Sequence, residues 1–555
     1  MAGATKSASD APELIRRIMA LRGIPAAQFD AFLNPSLSDL SDSCELPGIR
    51  EAADIAIGEI ASGGEIIVFG DYDCDGICAT AILSRCIAAI GGTVSAFVPD
   101  RLSEGYGMSD ASVSRMLAEH PSAKLVITVD NGIGSVEQID RLAARGIRCI
   151  VTDHHLPGDT LPGAAALVNP MVESPECLSG LCGAGVAYFL SGRIVAEAKA
   201  RGMYAGANIG GPFLVLAGLA TVTDMMPLVG QNRALVAEAL KRFGSWAPLG
   251  LRELYLRAAR VGADKLTSRD FGFLIGPRIN AAGRIGSAKD ALDLLMSDDR
   301  ETARELARIV DMRNSDRKSV EQKMTEDALR LVADGAPAQV IDLPDGHPGV
   351  AGIVAARVME RLMPPVPVFV IASGRGSARA PQGVNVRDVL EGCADLLLGF
   401  GGHAAAAGFS VKPGKVDAFR KRICKMCRAV GSPGGEGVLS GGVKPDMDVA
   451  AGDLTVETVE WLSALEPFGE GNPEPVFAVR NARISDVRPL GYDGRHLSLE
   501  ADGARCVWWG HGNDVERIRA DSLFPHDIFF SAGLSDYGER HVEFRIKGIE
   551  KSGSI

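Results

Sequence analysis

The sequence is short of basic charge. Its 58 Lys and Arg are outnumbered by 70 Asp and Glu, and the net charge is −12. That excludes a chain coated in positive charge for unselective nucleic-acid binding. A local basic groove remains compatible, because the field at a site follows the charges nearby. Aromatic residues are scarce at 5%, which argues against an extended base-stacking platform. No apolar run suits a membrane span. The uncharged stretch 202–223 is rich in Gly and Asn in its first half and ends at Asp224, so it reads as a helix buried in a large core. The N-terminal MAGATKSASDAPELIRRIMALRG has no apolar signal-like region, and a cytoplasmic chain with no membrane partner is expected. The 11 cysteines are scattered without a framework spacing, unlike a disulfide-stapled secreted domain. The C-x-x-C of Cys424 and Cys427 has no second Cys or His pair nearby. It reads as a buried, reduced pair, since structural zinc needs four ligands.

What is present is an ordinary folded composition, 46% hydrophobic and 23% charged over 555 residues, enough for three or four domains. Residues 1–48 form a helical lead-in, with Leu14, Ile15, Ile18 and Leu21 at helical spacing. From there apolar strands alternate with helices: IIVFG (66–70), VSAFV (94–98), KLVITVD (124–130) and CIVTD (149–153), with helices over 77–90, 109–119 and 135–145. This pattern predicts an α/β domain over 49–300 built on a parallel sheet with helices on both faces. Residues 301–335 are charged and free of Pro, and of Gly until Gly335, and predict one long connecting helix. A second α/β unit follows over 336–430. GSPGGEGVLSGG (431–442) is a linker. The short strands and turns of 443–555 predict a small β-barrel or sandwich.

The chemistry-bearing residues fall at strand ends. Asp71, Asp73 and Asp75 (DYDCDG) follow the first strand, Asp130 ends another, Asp153, His154 and His155 end a third, and Asp224 ends the uncharged stretch. In open α/β sheets, ligands bind at the carboxyl ends of the strands, so these segments are expected to converge. Taken alone, DYDCDG fits an acidic turn and the His pair a satisfied strand end. Three such motifs in order point to one site. Carboxylates with one or two imidazoles suit Mn²⁺ or Mg²⁺ better than zinc. Two such ions would activate a water and receive a phosphoryl oxygen.

DYDCDG, TVDNG (128–132) and DHH (153–155) together resemble the DHH phosphoesterase superfamily. PDRLSEGYG (99–107), TVTDMMPLVGQNR (221–233), PRINAAGR (277–284), GHPGVAGIVAAR (346–357), GRGSARA (374–380) and GGHAAAAG (401–408) narrow the resemblance to its RecJ family of single-stranded-DNA exonucleases. LEPFGEGNPEPVF (465–477) is similar to the start of that family's OB domain. The resemblance runs from about residue 50 to the C-terminus.

It implies a metal-dependent enzyme that degrades single-stranded DNA 5′→3′ to 5′-mononucleotides, in repair and recombination. By the same resemblance, Asp73, Asp75, Asp130, His154 and Asp224 bind two Mn²⁺ or Mg²⁺ ions, with Asp130 as bridge. Asp71 stands beside the first ion, Asp153 orients a histidine and His155 meets the scissile phosphate. Arg101, Ser377 and Arg379 grip the 5′-terminal phosphate, while Arg278, Asn280, Arg284 and His403 line the cleft. The family usually has Ser after Arg379, the second arginine of GRGSARA, where this chain has Ala380, so one hydroxyl donor is missing. The C-terminal barrel is expected to guide the strand. Of Trp508 and Trp509, one is expected in the core and one exposed. A single-strand-binding protein and a RecQ-type helicase are the implied partners. Two other readings stand beside this one: another DHH-class phosphodiesterase acting on short oligonucleotides or cyclic dinucleotides, and an inactive DNA-binding scaffold. The second conflicts with the full set of acids and histidines.

Overall fold

The computed structural model describes residues 6–41, 46–105, 107–175, 178–259, 266–430, 443–535 and 539–553. The chain forms two compact units. One comprises 41–226 and 239–437, and the other 1–40, 227–238 and 438–555.

The larger unit holds two sheets. The first has strands β1 (Glu65–Phe69), β2 (Thr93–Phe97), β3 (Leu125–Val129), β4 (Arg148–Thr152) and β5 (Ala166–Val168) in the order β2-β1-β3-β4-β5. Every pairing is parallel. Parallel strands covered on both faces need apolar side chains throughout, and all five residues of β3 are buried. Ile67 and Phe69 of β1 share one core with Met116, Ile139 and Leu142. Ile66 and Val68 alternate with them and so face the opposite side, where the helices Ile49–Ala61, Cys74–Ala89 and Gly183–Ala200 meet the sheet. The parallel α/β domain expected from the alternation is therefore present. The three-residue β5 was not foreseen, being too short to carry a periodic signal.

The helix Arg300–Arg330 spans 31 residues, and the second sheet follows it. This sheet has β6 (Gln339–Leu343), β7 (Val368–Ala372), β8 (Arg375–Arg379), β9 (Leu397–Gly402) and β10 (Ala406–Val411), ordered β6-β7-β8-β10-β9. Only β6 and β7 pair in parallel. The helix Val416–Val430 packs Phe419 and Ile423 into the core beneath this sheet. Cys427 joins that core, while Cys424 is only half-buried, and both are free thiols. The expected linker 431–442 lies outside the described residues.

The smaller unit is built on β11 (Met447–Asp448), β12 (Phe477–Ala482), β13 (Ile484–Leu490), β14 (His496–Ala501), β15 (Ala504–Trp508), β16 (His526–Ser535) and β17 (His541–Lys551). They form one mixed sheet in the order β11-β12-β16-β17-β15-β14-β13. Its core, in which Phe530 stacks on Phe544 with centroids 3.8 Å apart, also takes in Ile15, Ile18 and Met19 of the N-terminal helix Glu13–Leu21 and Phe29 and Leu33 after it. Arg233 is buried here, and its guanidinium donates to the carbonyls of Phe32, Leu465 and Glu466 at 3.0, 3.0 and 2.8 Å. Trp508 packs against the core and stacks on His511, whereas Trp509 is 55% exposed. Among the described residues, no helix is long and apolar enough to cross a membrane.

Candidate metal centre and phosphate cavity

The sheet β1–β5 brings its acidic strand ends together. After β1 the chain turns into the helix Cys74–Ala89, and Asp73 caps it by accepting the Gly76 N–H at 3.0 Å. An N-cap carboxylate satisfies an orphan amide and favours the positive end of the helix. Asp75 lies in the first turn of that helix and is buried. Its two carboxylate oxygens accept the N–H groups of Gly183 and Ala184, both at 2.7 Å. Those amides open the helix Gly183–Ala200, so Asp75 fixes that helix against the first loop. Only glycine fits at 183, because a Cβ there would stand 2.6 Å from Asp130 Cβ.

Asp130 follows β3 with φ +60°, and Gly132 follows with φ +108°. This left-handed turn is why the strand ends in D-N-G, residue types that tolerate positive φ. Asp153 follows β4. One of its oxygens accepts the N–H groups of His154 (2.8 Å) and His155 (3.2 Å) and lies 2.8 Å from His155 Nδ1. The other accepts the Ile133 N–H at 2.9 Å. Asp224 sits at the C-cap of the helix Gly210–Thr223.

His154 Nε2 lies 3.1 Å from Asp130, 3.5 Å from Asp224 and 3.6 Å from Asp75. Three overlapping sets have ligand atoms within 4.8 Å of one another: Asp71, Asp73 and Asp130; Asp75, His154 and Asp224; and Asp130, His154 and His155. Every acid and histidine expected at the metal centre is thus in one cluster, with Asp130 and His154 each shared by two sets. Asp153 touches His155 from behind.

Charge of one sign in so small a buried space is unstable by itself. Burial, then the charge of Asp73, pushes Asp71 well above the carboxylate range. Burial and the charges of Asp75 and Asp73 do the same to Asp130 and lift Asp224 to about 8. Burial lowers His154. His155 behaves oppositely: against the downward push of burial, its contact with Asp153 raises it to about 9. Burial would raise Asp153, but hydrogen bonds from His155 and the neighbouring amides hold it below the usual value. Among the described residues, one oxygen each of Asp71 and Asp130 is buried with no hydrogen-bond donor, since His154 approaches Asp130 without bonding geometry. Unsatisfied buried oxygens are rare and call for an explanation. A divalent cation with oxygen ligands supplies one.

Beside the cluster lies a cavity of about 790 Å³. Tyr72, Arg101 and His155 line it from the parallel-sheet side, and Arg375, Ser377, Arg379 and His403 from the second sheet. Arg101 stands over the Tyr72 ring, 4.9 Å from its centroid, and its carbonyl accepts from Arg375 at 3.3 Å. The Arg379 guanidinium donates to its own strand at Ala378 O (2.8 Å) and, through the same nitrogen, to Ser377 Oγ (3.4 Å). Burial and then the positive charge of Arg101 lower its pKa. Among the described residues no carboxylate pairs with Arg379, and two cations so placed suit an anion.

The PRINAAGR residues do not line this cavity. Arg278 donates to Asp311 (2.9 Å) and Leu274 O (2.6 Å), an ion pair to the long helix. Asn280 accepts the Cys74 N–H at 2.8 Å and so holds the acidic loop in place. Arg284 is lowered to about 10 by burial and then by Arg101, and it reaches Gly349 O at 3.4 Å. The motif is a brace behind the site, a role its sequence could not distinguish from lining. Ala380 is buried in the core of the second sheet and is not among the residues lining the cavity. Tyr72, Arg375 and the Pro348–Gly349 turn are cavity residues that reading the sequence did not assign. GHPGVAG was the signal for the last of these.

A parallel sheet with clustered carboxylates and imidazoles at its strand ends, beside a cavity that a second sheet domain lines with arginines, is the arrangement of a DHH-class phosphoesterase. Family models agree: the DHH family N-terminal domain matches residues 65–207, the DHHA1 domain 335–429 and the RecJ OB domain 445–548. The single-stranded-DNA-specific exonuclease RecJ of Dickeya dadantii is 37% identical over 97% of this chain and 96% of its own. That of Thermus thermophilus is 37% identical over 91% and 71%. The crystal structure of Thermus thermophilus RecJ with Mn²⁺ superposes with a TM-score of 0.82 at 32% identity, covering 98% of this chain and 79% of that one. The same protein with Mg²⁺ gives 0.73. The chain belongs to the RecJ family.

Proposed function

We propose that the protein is a divalent-cation-dependent exonuclease that degrades single-stranded DNA from the 5′ end to 5′-mononucleotides. The observation that carries this reading is the position of His155, which belongs both to the acidic cluster and to the arginine-lined cavity. Relatives named as single-stranded-DNA-specific exonucleases over nearly the whole chain support it.

Asp73, Asp75, Asp130, His154 and Asp224 would hold two Mn²⁺ or Mg²⁺ ions, with Asp71 beside them. When bound, such ions provide a nucleophilic water at neutral pH and neutralise charge on the phosphoryl oxygens. Asp153 commits Nδ1 of His155 and favours its cationic form, which suits a scissile phosphate oxygen. Arg101, Ser377 and Arg379 would grip the terminal phosphate. That grip beside the cluster would set both direction and product length, by bringing the first internucleotide phosphate to the residues that would hold the ions. Water would add to the phosphorus between the first two nucleotides as the bond to the 3′ oxygen of the first breaks. That oxygen leaves as a hydroxyl, the remaining strand keeps a 5′-phosphate, and no side chain need become covalently attached.

The test is digestion of end-labelled single strands carrying a 5′-phosphate or 5′-hydroxyl, with Mn²⁺, Mg²⁺ or chelator. Stepwise release from the 5′ end only with metal is expected, as 5′-mononucleotides throughout from the phosphorylated strand and after a first nucleoside from the hydroxyl strand. Cleavage confined to dinucleotides, or unaffected by chelator, would sink the reading. The role in repair and recombination, the cytoplasmic location, and the pairing with a single-strand-binding protein and a RecQ-type helicase rest on the family resemblance. Co-precipitation with each purified partner tests the pairing.

A further inference from the structure

The helix that faces the cavity from the second sheet domain begins with a 3₁₀ turn at Pro348–Val350 and runs from Ala351 to Met359. Two glycines near its start behave differently. At Gly349 a Cβ would stand 1.9 Å from the Arg284 carbonyl oxygen. Backbone cannot yield to that overlap, so Gly349 serves packing. At Gly352 a Cβ would stand 2.9 Å from Ser377 Oγ and 3.0 Å from Arg379 Nη2. These atoms are the tips of side chains, and both residues line the cavity, as does Gly352 itself. Glycine inside a helix is disfavoured against alanine, and Gly352 has no positive φ to excuse it. The missing methyl group leaves room for one thing: the present positions of Ser377 and Arg379.

We propose that Gly352 is a positioning residue that sets preference for a 5′-terminal phosphate, by leaving Ser377 Oγ and Arg379 Nη2 the space to converge on it. The proposal rests on the reading of Ser377 and Arg379 as the phosphate grip. Arg379 Nη1 is already committed to Ala378 O, so Nη2 is the nitrogen whose place matters. A methyl group at 352 would displace Nη2 and the Ser377 hydroxyl by a few tenths of an ångström or more, while the helix backbone stays as it is.

The experiment compares Gly352→Ala, Arg379→Ala, Ser377→Ala and the double variant Gly352→Ala/Ser377→Ala. Rates are measured on single strands of one sequence bearing a 5′-phosphate or a 5′-hydroxyl. Melting midpoints are taken with and without Mn²⁺. Gly352→Ala should keep its midpoint and its Mn²⁺ shift, keep kcat on the hydroxyl strand, and lose about tenfold or more of the phosphate preference through KM. The double variant should lose less than the sum of its parts, because part of the Gly352→Ala effect acts through the Ser377 hydroxyl that Ser377→Ala already removes. If Gly352→Ala leaves the preference unchanged, does not fold, or adds fully to Ser377→Ala, Gly352 is a packing glycine and the proposal falls. If Arg379→Ala also leaves the preference unchanged, the phosphate reading itself falls. Loss with Arg379→Ala but not with Gly352→Ala overturns this inference alone.

Discussion

Asp153 and His155, two residues apart, meet side chain to side chain, with Asp153 Oδ1 2.8 Å from His155 Nδ1. The same carboxylate collects three backbone N–H groups, from Ile133, His154 and His155. It ties the end of β4 to the turn after β3 and fixes a ring that faces both the metal cluster and the cavity.

Replacing this anchor should cost both stability and rate. Asp153→Asn keeps the shape but places an NH₂ where an acceptor is needed. The loss should be about 1–3 kcal/mol in urea unfolding with chelator present. His155 should fall from about 9 towards an ordinary imidazole value, read by NMR titration of the metal-free protein. An unchanged histidine titration would show that Asp153 only braces the backbone.

Asp130→Asn tests the metal centre with little risk to the fold. Asparagine accepts the φ of +60° found there, so the turn should survive. Turnover should drop by at least about 10²–10³-fold, the scale for removing one key charge-stabilising group. The Mn²⁺-induced rise in melting midpoint should shrink sharply. Near-normal turnover by the folded variant would contradict a cluster centred on Asp130.

Without metal, the protein should lose stability as pH rises from about 7 to 9. Asp224, at about 8, and His155, at about 9, both bind a proton more tightly folded than unfolded. A raised folded pKa contributes stability that is complete below the unfolded value and disappears as pH passes the folded one. His154, lowered by burial, acts in the opposite sense below its ordinary value, so the decline is cleanest above neutrality. Added Mn²⁺ should stabilise more as pH rises, because binding displaces the proton of Asp224. Melting curves across this range, with Mn²⁺ or chelator, give the answer. A metal-free midpoint that rises towards pH 9 would contradict it.

A chain ending at Gly442 should not be a stable soluble protein. Removing the C-terminal sheet uncovers Ile15, Ile18, Met19, Phe29 and Leu33, which share its core. Each large apolar side chain returned to water forfeits about 1.5–3 kcal/mol. Arg233 also loses the carbonyls of Leu465 and Glu466. Size-exclusion chromatography and dye binding should show aggregation or exposed apolar surface. A monomer with the full-length melting midpoint would disprove the shared core.

Trp509→Ala is the gentler probe of strand binding. Trp509 is largely exposed and meets His496 edge-on at 4.7 Å. If a base stacks there, affinity for a long single strand should weaken by about 1–3 kcal/mol, with cleavage of short oligonucleotides unchanged. Equal affinity in a fluorescence titration would mark the tryptophan as surface packing.

The parallel sheet and the composition of the centre were legible along the chain. Strands covered on both faces must be continuous apolar runs, so β1, β3 and β4 were legible within a residue or so, and the acids that follow them had to emerge on one edge. Asp130 needed a left-handed turn, and D-N-G announced it. Contacts between residues far apart in the chain were not legible in this way. Asp75 holds the amides of Gly183 and Ala184. Asn280 holds the amide of Cys74. Arg278 turns to the long helix rather than to the cavity. The N-terminal helix buries Ile15 and Ile18 against a sheet more than 400 residues later. Periodicity reveals which face of an element is apolar, because that depends only on neighbours along the chain. It does not reveal which distant surface will cover that face, or which amide will satisfy a buried carboxylate, because those partners are chosen by packing in three dimensions.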